Sequence, residues 1–190
     1  MSDKAKLRKQ LRAARKKHVA AIPDNIRALL FRQPPTGLAN LIPASATIGL
    51  YHAAADEAPA GAYARYFAEN GHVIALPRFA NHTAAMEFAV HSDPFGESDL
   101  EQGAFDIMQP HSAMQAVVPE ILFVPLLGFT AEGDRIGQGG GHYDRWLGEH
   151  PDVLAIGLAW DSQLMETLPL EPHDRSLSAI VTPTRLYGPF

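Results

Sequence analysis

The thirteen residues RIGQGGGHYDRWL, Arg135 to Leu147, combine four glycines, two arginines, an aspartate and a tyrosine soon after the apolar run ILFVP (121–125). Gly137, Gly139, Gly140 and Gly141 let the backbone approach a ligand closely and adopt positive φ, so that successive N–H groups form a nest for phosphate oxygens. Arg135 and Arg145 add guanidinium forks that match an anion in two contacts. Asp144 alone would repel phosphate, so its presence implies a hard cation between them. Mg²⁺ takes one or two carboxylates together with phosphate oxygens and water. The group reads as a nucleoside triphosphate site. A glycine-rich turn with surface charges is the simpler alternative and would suffice for the glycines alone; the added Arg, Tyr and Asp favour an anion.

A phosphate site of this kind usually includes an ammonium, and the body of the chain has none to offer. All five lysines (Lys4, Lys6, Lys9, Lys16, Lys17) lie in the first seventeen residues with Arg8, Arg12 and Arg15, against the single acid Asp3, a net +7. The remainder carries eight arginines against 20 acids, a net −12, which gives −5 for the chain. A Walker-A loop and a Schiff-base lysine in the body are therefore excluded. The missing ammonium has to come from the N-terminal arm, with Lys4 as the candidate. Cysteine is absent, which removes disulfides, thiol nucleophiles and thiolate-bound metals. There is no H-E-x-x-H and no G-x-S-x-G, so neither a zincin nor an α/β-hydrolase is expected. The basic start lacks an apolar signal core and no run is long enough to span a membrane. A cytoplasmic, non-membrane, monomeric protein of one domain (1–190) is expected.

The elements that would carry these residues follow from periodicity. Leu7, Leu11, Ala14 and His18 recur at helical spacing over Asp3 to Ala20, with Lys4, Arg8, Arg12 and Arg15 as a neighbouring cationic stripe. A short helix capped by Asp24 is expected to run toward Arg32, followed by an irregular loop, QPPTGLANLIPAS. From Thr47 strands alternate with helices: strand 47–52, helix 62–70 closed by Gly71, and strands 72–77 and 86–91. An irregular connector precedes strand 121–125; then come the glycine loop, a helix over 143–148, strand 153–160, a short helix from Asp161 and strand 178–182. ILFVP is apolar throughout, as for a strand covered on both faces. The pattern predicts an α/β protein, a mainly parallel sheet between helical layers, with ligands collecting beyond the carboxyl ends of the strands.

The stretch VPLLGFTAEGDRIGQGGGHYDRWL (124–147) resembles the signature of 5-formyltetrahydrofolate cyclo-ligases, roughly V-P-x-L-x-F-D-x-x-G-x-R-L-G-x-G-x-G-Y-Y-D. The resemblance extends to Lys4 and Arg8, the acidic pair Asp56–Glu57, ALPR at 75–78, the LAW stretch ending at Gln163, and His173–Asp174. It implies a three-layer α/β/α fold with an N-terminal basic helix, and an enzyme of one-carbon metabolism that binds Mg-ATP. Lys4, Arg8 and Arg135 to Tyr143 (Arg135, Gly137, Gln138, Gly139, Gly140, Gly141, His142, Tyr143) then match the nucleotide site, with Arg135, Lys4 and Arg8 acting on the transferred phosphoryl group. Asp144 and Asp174 match magnesium carboxylates. His52, Glu57 and the segment Gln138 to His142 match the folate side. Thr130 stands where the pattern has Asp, and His142 replaces the first aromatic of its pair. A binding relative without turnover remains the alternative. Nucleic-acid binding by the basic arm is disfavoured by the acidic body and by the lack of interleaved aromatics.

Overall fold

The computed structural model describes residues 3–190. Helix α1 (Asp3–Ala20) has the predicted limits, but its docked face differs from the expected one. Lys4, Leu11, Arg15 and Val19 are buried, whereas Ala14 is exposed. Two of those four buried positions are cationic because the surface beneath supplies carboxylates and a carbonyl, so the helix docks through charge as much as through apolar area. Helix α2 (Asp24–Arg27) is a single turn entered from Pro23, not capped by Asp24, whose carboxylate instead accepts from Arg27 at 2.8 Å. Beyond it the chain runs through turns to Phe31, whose φ of 54° is incompatible with continuing a helix. The segment read as an irregular loop contains one more turn, α3 (Thr36–Ala39).

The alternating part begins with β1 (Thr47–Gly49), shorter than expected, then α4 (Gly61–Glu69), β2 (Val73–Arg78) and β3 (Glu87–Val90). The connector that follows is not wholly irregular, since β4 (Leu100–Gln102) and β5 (Met108–Pro110) pair as an antiparallel hairpin. Next come β6 (Ala116–Val117) and β7 (Ile121–Pro125). A second small hairpin, β8 (Gly128–Phe129) with β9 (Arg135–Ile136), stands where a plain loop was expected. Thr130 closes it, its N–H donating to the Asp134 carbonyl at 2.9 Å while its hydroxyl accepts from the Asp134 N–H at 3.3 Å. Helix α5 (His142–Glu149), β10 (Leu154–Leu158), a 3₁₀ turn (Asp161–Gln163), β11 (Ala179–Val181) and β12 (Leu186–Tyr187) complete the chain.

Eight strands form one sheet in the order β12-β11-β10-β7-β1-β2-β3-β6. The five from β11 to β2 pair in parallel; β12, β3 and β6 join antiparallel at the two sides. Side chains of a strand alternate between faces, and β7 shows the consequence. Ile121 and Phe123 pack with Tyr63 and Phe67 of α4, while Leu122 and Val124 join Trp146 and Leu147 of α5 on the opposite face. The three layers follow from that double burial. The carboxyl ends of the adjacent strands β1, β7 and β2 all open on the same edge, where Tyr51, His52, Pro77, Phe79 and Pro125 line one cavity of about 440 Å³. No helix among the described residues is long and apolar enough to cross a membrane.

Candidate active site

One wall of the cavity is polar and is made by α1 lying against the glycine loop. Along the helix each cation of the stripe has its own acceptor. Lys4 Nζ donates to Asp174 Oδ2 at 2.6 Å and Glu171 Oε2 at 2.8 Å. Arg8 Nε donates to the Gly137 carbonyl at 3.1 Å. Arg12 donates to the Gln138 carbonyl at 2.6 Å and to Gln138 Oε1 at 2.8 Å. Arg15 pairs with Asp56 at 3.0 Å, donates to the Leu126 carbonyl at 3.3 Å and lies 3.7 Å from Glu57. With its carbonyls drawn toward α1, the loop is left with free donors: among the described residues the N–H groups of Gln138, Gly139, Gly140 and Gly141 have no hydrogen-bond partner. Gly139 and Gly141 hold φ of 106° and 66°, and Gly141 is the N-cap of α5, so the nest runs directly into a helix N-terminus.

Arg135 lies at the centre of this wall and is 6 % exposed. Its Nη2 donates to Asp144 Oδ1 at 2.7 Å, and its Nε is a buried donor without a partner. An orphaned buried donor costs roughly 1–3 kcal/mol unless a ligand or water satisfies it. Burial pulls the guanidinium below its ordinary value, and the charge of Asp144 opposes the shift. Asp144 Oδ1 also accepts from the Arg175 N–H at 3.3 Å. Asp174 is pushed up by burial, but the Lys4 hydrogen bond and the Glu171 N–H outweigh this and hold its carboxyl below the usual range. Burial likewise would lower Lys4, and its two carboxylate partners raise it instead.

Asp144 and Asp174 both line the cavity, and each spends one oxygen on a cation of the chain and a backbone N–H; the second oxygen of Asp174 lies 4.0 Å from His173 Nε2, and both second oxygens could serve a metal. Hard carboxylate oxygens beside an anion nest suit Mg²⁺. Glu171, His173 and Asp174 also bring one ligand atom each within 4.8 Å of one another; Asp144 is not in that group.

The facing wall is apolar. Phe79, Met86, Phe105, Ile107 and Met108 line it, and the His142 ring closes it. Ring centroids lie 4.9 Å apart for Phe79–His142, 5.1 Å for Phe79–Phe105 and 5.4 Å for Phe105–His142. Burial, and then the charge of Arg145, lower the His142 imidazole below its usual 6.5, so it is neutral at pH 7 and behaves as an aromatic edge. Phe105 and Asp106, at the tip between β4 and β5, have φ of 61° and 56°, a sparsely populated region for such residues. Gln109 fixes Phe79 from behind, accepting from its N–H at 3.0 Å and donating to its carbonyl at 3.2 Å.

Of the residues singled out in the sequence, Arg8, His52, Glu57, Arg135, Gly137 to Asp144 and Asp174 all line this cavity. Lys4 is behind it, engaged by Glu171 and Asp174 rather than open to a ligand. Glu57 meets the loop through Gln138 Nε2 at 3.4 Å, and His52 lies 3.5 Å from Glu97. Burial and the nearby Glu57 push the Tyr143 hydroxyl well up, so it stays protonated. Sequence reasoning missed the apolar wall, Arg12 as a clamp on the glycine loop, Arg15 as the partner of Asp56 and the Leu126 carbonyl, and the supporting role of Trp160 and Gln163. Trp160 Nε1 donates to the Asp56 carbonyl at 3.2 Å, and Gln163 Nε2 to the Leu126 carbonyl at 2.7 Å. The signal for the clamps was the i, i+4 stripe itself; the apolar wall left none beyond apolar residues flanking a turn.

The statistical model of the 5-formyltetrahydrofolate cyclo-ligase family matches residues 1–183. The chain is 37 % identical over 97 residues to the 5-formyltetrahydrofolate cyclo-ligase of Escherichia coli K12, a match covering 48 % of this chain and 53 % of that protein. The matched segment thus spans about half the length of that relative. The enzyme of the same name from Mycolicibacterium smegmatis aligns over 97 % of both chains at 26 % identity. Among solved structures, the Aquifex aeolicus 5,10-methenyltetrahydrofolate synthetase superposes with a TM-score of 0.76 and 25 % identity, over 98 % of this chain and 92 % of that one. The Mycoplasma pneumoniae 5,10-methenyltetrahydrofolate synthetase shares the fold, with a TM-score of 0.68 over 94 % and 98 % of the two chains at 21 % identity.

Proposed function

The chain belongs to the 5-formyltetrahydrofolate cyclo-ligase family, and we propose that it closes 5-formyltetrahydrofolate to 5,10-methenyltetrahydrofolate while converting ATP to ADP and phosphate. The observation that carries this reading is the pairing of walls in a single cavity: four unpartnered N–H groups with Arg8 and Arg135 on one side, and a face of aromatic and apolar side chains on the other. The first suits a triphosphate, the second a flat heteroaromatic ring. In the cell the protein acts in the cytoplasm, as a monomer.

The N5-formyl group is a formamide, resonance-stabilised and weakly electrophilic, so N10 does not close the ring unaided. In the proposed reaction the formyl oxygen attacks the γ-phosphorus, the bond to ADP breaks, and an iminium phosphate results. N10 then adds to the activated carbon and gives up its proton, the C–O bond breaks, and inorganic phosphate leaves carrying that proton as hydrogen phosphate. Phosphoryl transfer asks little covalent work of the protein; the task is alignment and stabilisation of charge on the transferred oxygens. The N–H groups of Gln138 to Gly141 hold phosphate oxygens, with Arg8 and Arg135 supplying charge and the orphaned Arg135 Nε gaining an acceptor. Lys4 reaches the phosphates when Asp174 and Glu171 release it. Asp144 and Asp174 would hold Mg²⁺, which supplies charge neutralisation along the phosphates. Glu57 and His52 orient the folate, Phe79, Phe105 and neutral His142 hold its ring system, and the apolar wall excludes water from the activated carbon.

The test is to mix the protein with 5-formyltetrahydrofolate and Mg-ATP and follow the methenyl chromophore and ADP together. Equal amounts of the two products are expected. Absence of both over a range of pH and divalent metals would overturn the reading in favour of a binding relative without turnover.

A further inference from the structure

We propose that Arg12, one turn beyond Arg8 on α1, is a positioning residue that presents the glycine loop to the nucleotide and couples nucleotide binding to folate binding through Gln138 and Glu57. This rests on the reading that the cavity takes both ligands.

The fork of Arg12 engages two acceptors of one residue, the carbonyl and the side-chain oxygen of Gln138. Each contact has a directional consequence. The Gln138–Gly139 peptide is trans and planar, so fixing the Gln138 carbonyl toward α1 turns the Gly139 N–H the opposite way. Arg8 does the same to the preceding peptide through the Gly137 carbonyl. Two arginines four residues apart thereby set two consecutive N–H groups of the nest. The side-chain contact decides the amide orientation: with Oε1 facing the guanidinium, Nε2 faces Glu57 Oε1 at 3.4 Å. Glu57 in turn lies 3.7 Å from Arg15. A continuous path therefore runs from α1 through the loop to an acid that borders the folate side.

A segment with glycine at 137, 139, 140 and 141 loses more backbone entropy on ordering than any other composition, so an external clamp matters there. Arg12 is exposed and packs in no core cluster, so its removal leaves the fold intact and acts on the loop. A ligand that orders the loop from the phosphate side also fixes Gln138 against Glu57, and the converse holds for folate. Such coupling is reciprocal.

The experiment is calorimetric titration with a non-hydrolysable ATP analogue in Mg²⁺ and with 5-formyltetrahydrofolate, each alone and in the presence of the other. The proteins are the wild type, Arg12→Ala, Arg12→Lys, Gln138→Ala, the double variant of Arg12→Ala with Gln138→Ala, and Lys9→Ala, which removes the same charge from an exposed position on α1. Arg12→Ala is expected to weaken the analogue about tenfold and to abolish the mutual strengthening of the two ligands, with an unchanged melting temperature. Arg12→Lys, able to reach only one acceptor at a time, should recover part of the loss, and the double variant should lose less than the sum of the two single losses, because Arg12 keeps its contact with the residue-138 carbonyl in Gln138→Ala. A loss in Arg12→Ala no greater than in Lys9→Ala, additivity in the double variant, or independent binding of the two ligands to the wild type overturns the proposal. If the wild type binds both ligands cooperatively but makes no product, the reaction proposed above fails and the role of Arg12 stands. If it binds no nucleotide, both fail.

Discussion

The two walls of the cavity are built by opposite means. The polar wall is assembled from segments far apart in the chain, α1 and the loop before α5, and is held by charge: Lys4 meets Asp174 across 170 positions, and Arg8 meets Gly137 across 129. The apolar wall comes from the end of β2, the β4–β5 hairpin and the first residue of α5, held by packing of Phe79, Phe105 and His142. Charge-held contacts can exchange one anion for another, because the same cations serve either acceptor. Packed contacts have no such alternative. The polar wall is therefore suited to respond to ligand, and the apolar wall to select its shape.

Substitutions that act on one wall alone test this division. The largest effect belongs to Arg135 and Asp144. Arg135→Ala or Asp144→Asn should lower turnover at least about a hundredfold, about 3 kcal/mol of barrier, as expected for losing one preorganised charge contact. Asp144→Asn should also lower the melting temperature, since it leaves the buried Arg135 guanidinium without its charge partner. Near-normal turnover in both variants would remove the polar wall from the chemistry. Next comes Phe105→Ala. Loss of its ring contacts, about 1 kcal/mol, should raise KM for 5-formyltetrahydrofolate by about fivefold and leave affinity for the ATP analogue unchanged. Equal losses for both ligands would mean that the walls do not divide the substrates between them.

The smallest effect is that of pH on the docking of α1. Asp174, held below its ordinary 3.8, contributes stability above that value and loses it as pH falls through the depressed one. Lys4, raised above 10.5, contributes below that value and loses it as pH rises through the raised one. The protection of the α1 amides, taken relative to the intrinsic exchange rate at each pH, should therefore be flat across the neutral range and fall only at its two extremes. A change near pH 6 to 7 would show that a histidine, not the Lys4–Asp174 pair, controls docking.

Much of the fold was readable from periodicity. Helix α1, the alternation of strand and helix, and the buried run of β7 all emerged with nearly the right limits because each depends on neighbours within a few residues. The short turns α2 and α3 and the two hairpins were misread, since single turns and two-residue strands carry too few positions for a period to register. In the site, charge-bearing residues were found readily: Arg135, Asp144 and the glycines are chemically conspicuous against an ordinary loop. Phe105, Met86 and Phe79 were not, because an apolar side chain facing a cavity has the same composition as one facing the core.

The order of residues thus determined which groups the chain has for chemistry: a body without lysine and a basic N-terminal arm, a glycine loop rich in donors, and strands that alternate with helices. The folded structure settled which groups are already occupied. Ala14 is exposed while Arg15 is buried, Lys4 is held by two carboxylates, and the Arg135 Nε is left without an acceptor. The reason is physical. Residue type and spacing fix charge and periodicity, but a buried cation's partner is chosen by the path of the chain through the whole sheet, over separations that no local pattern records.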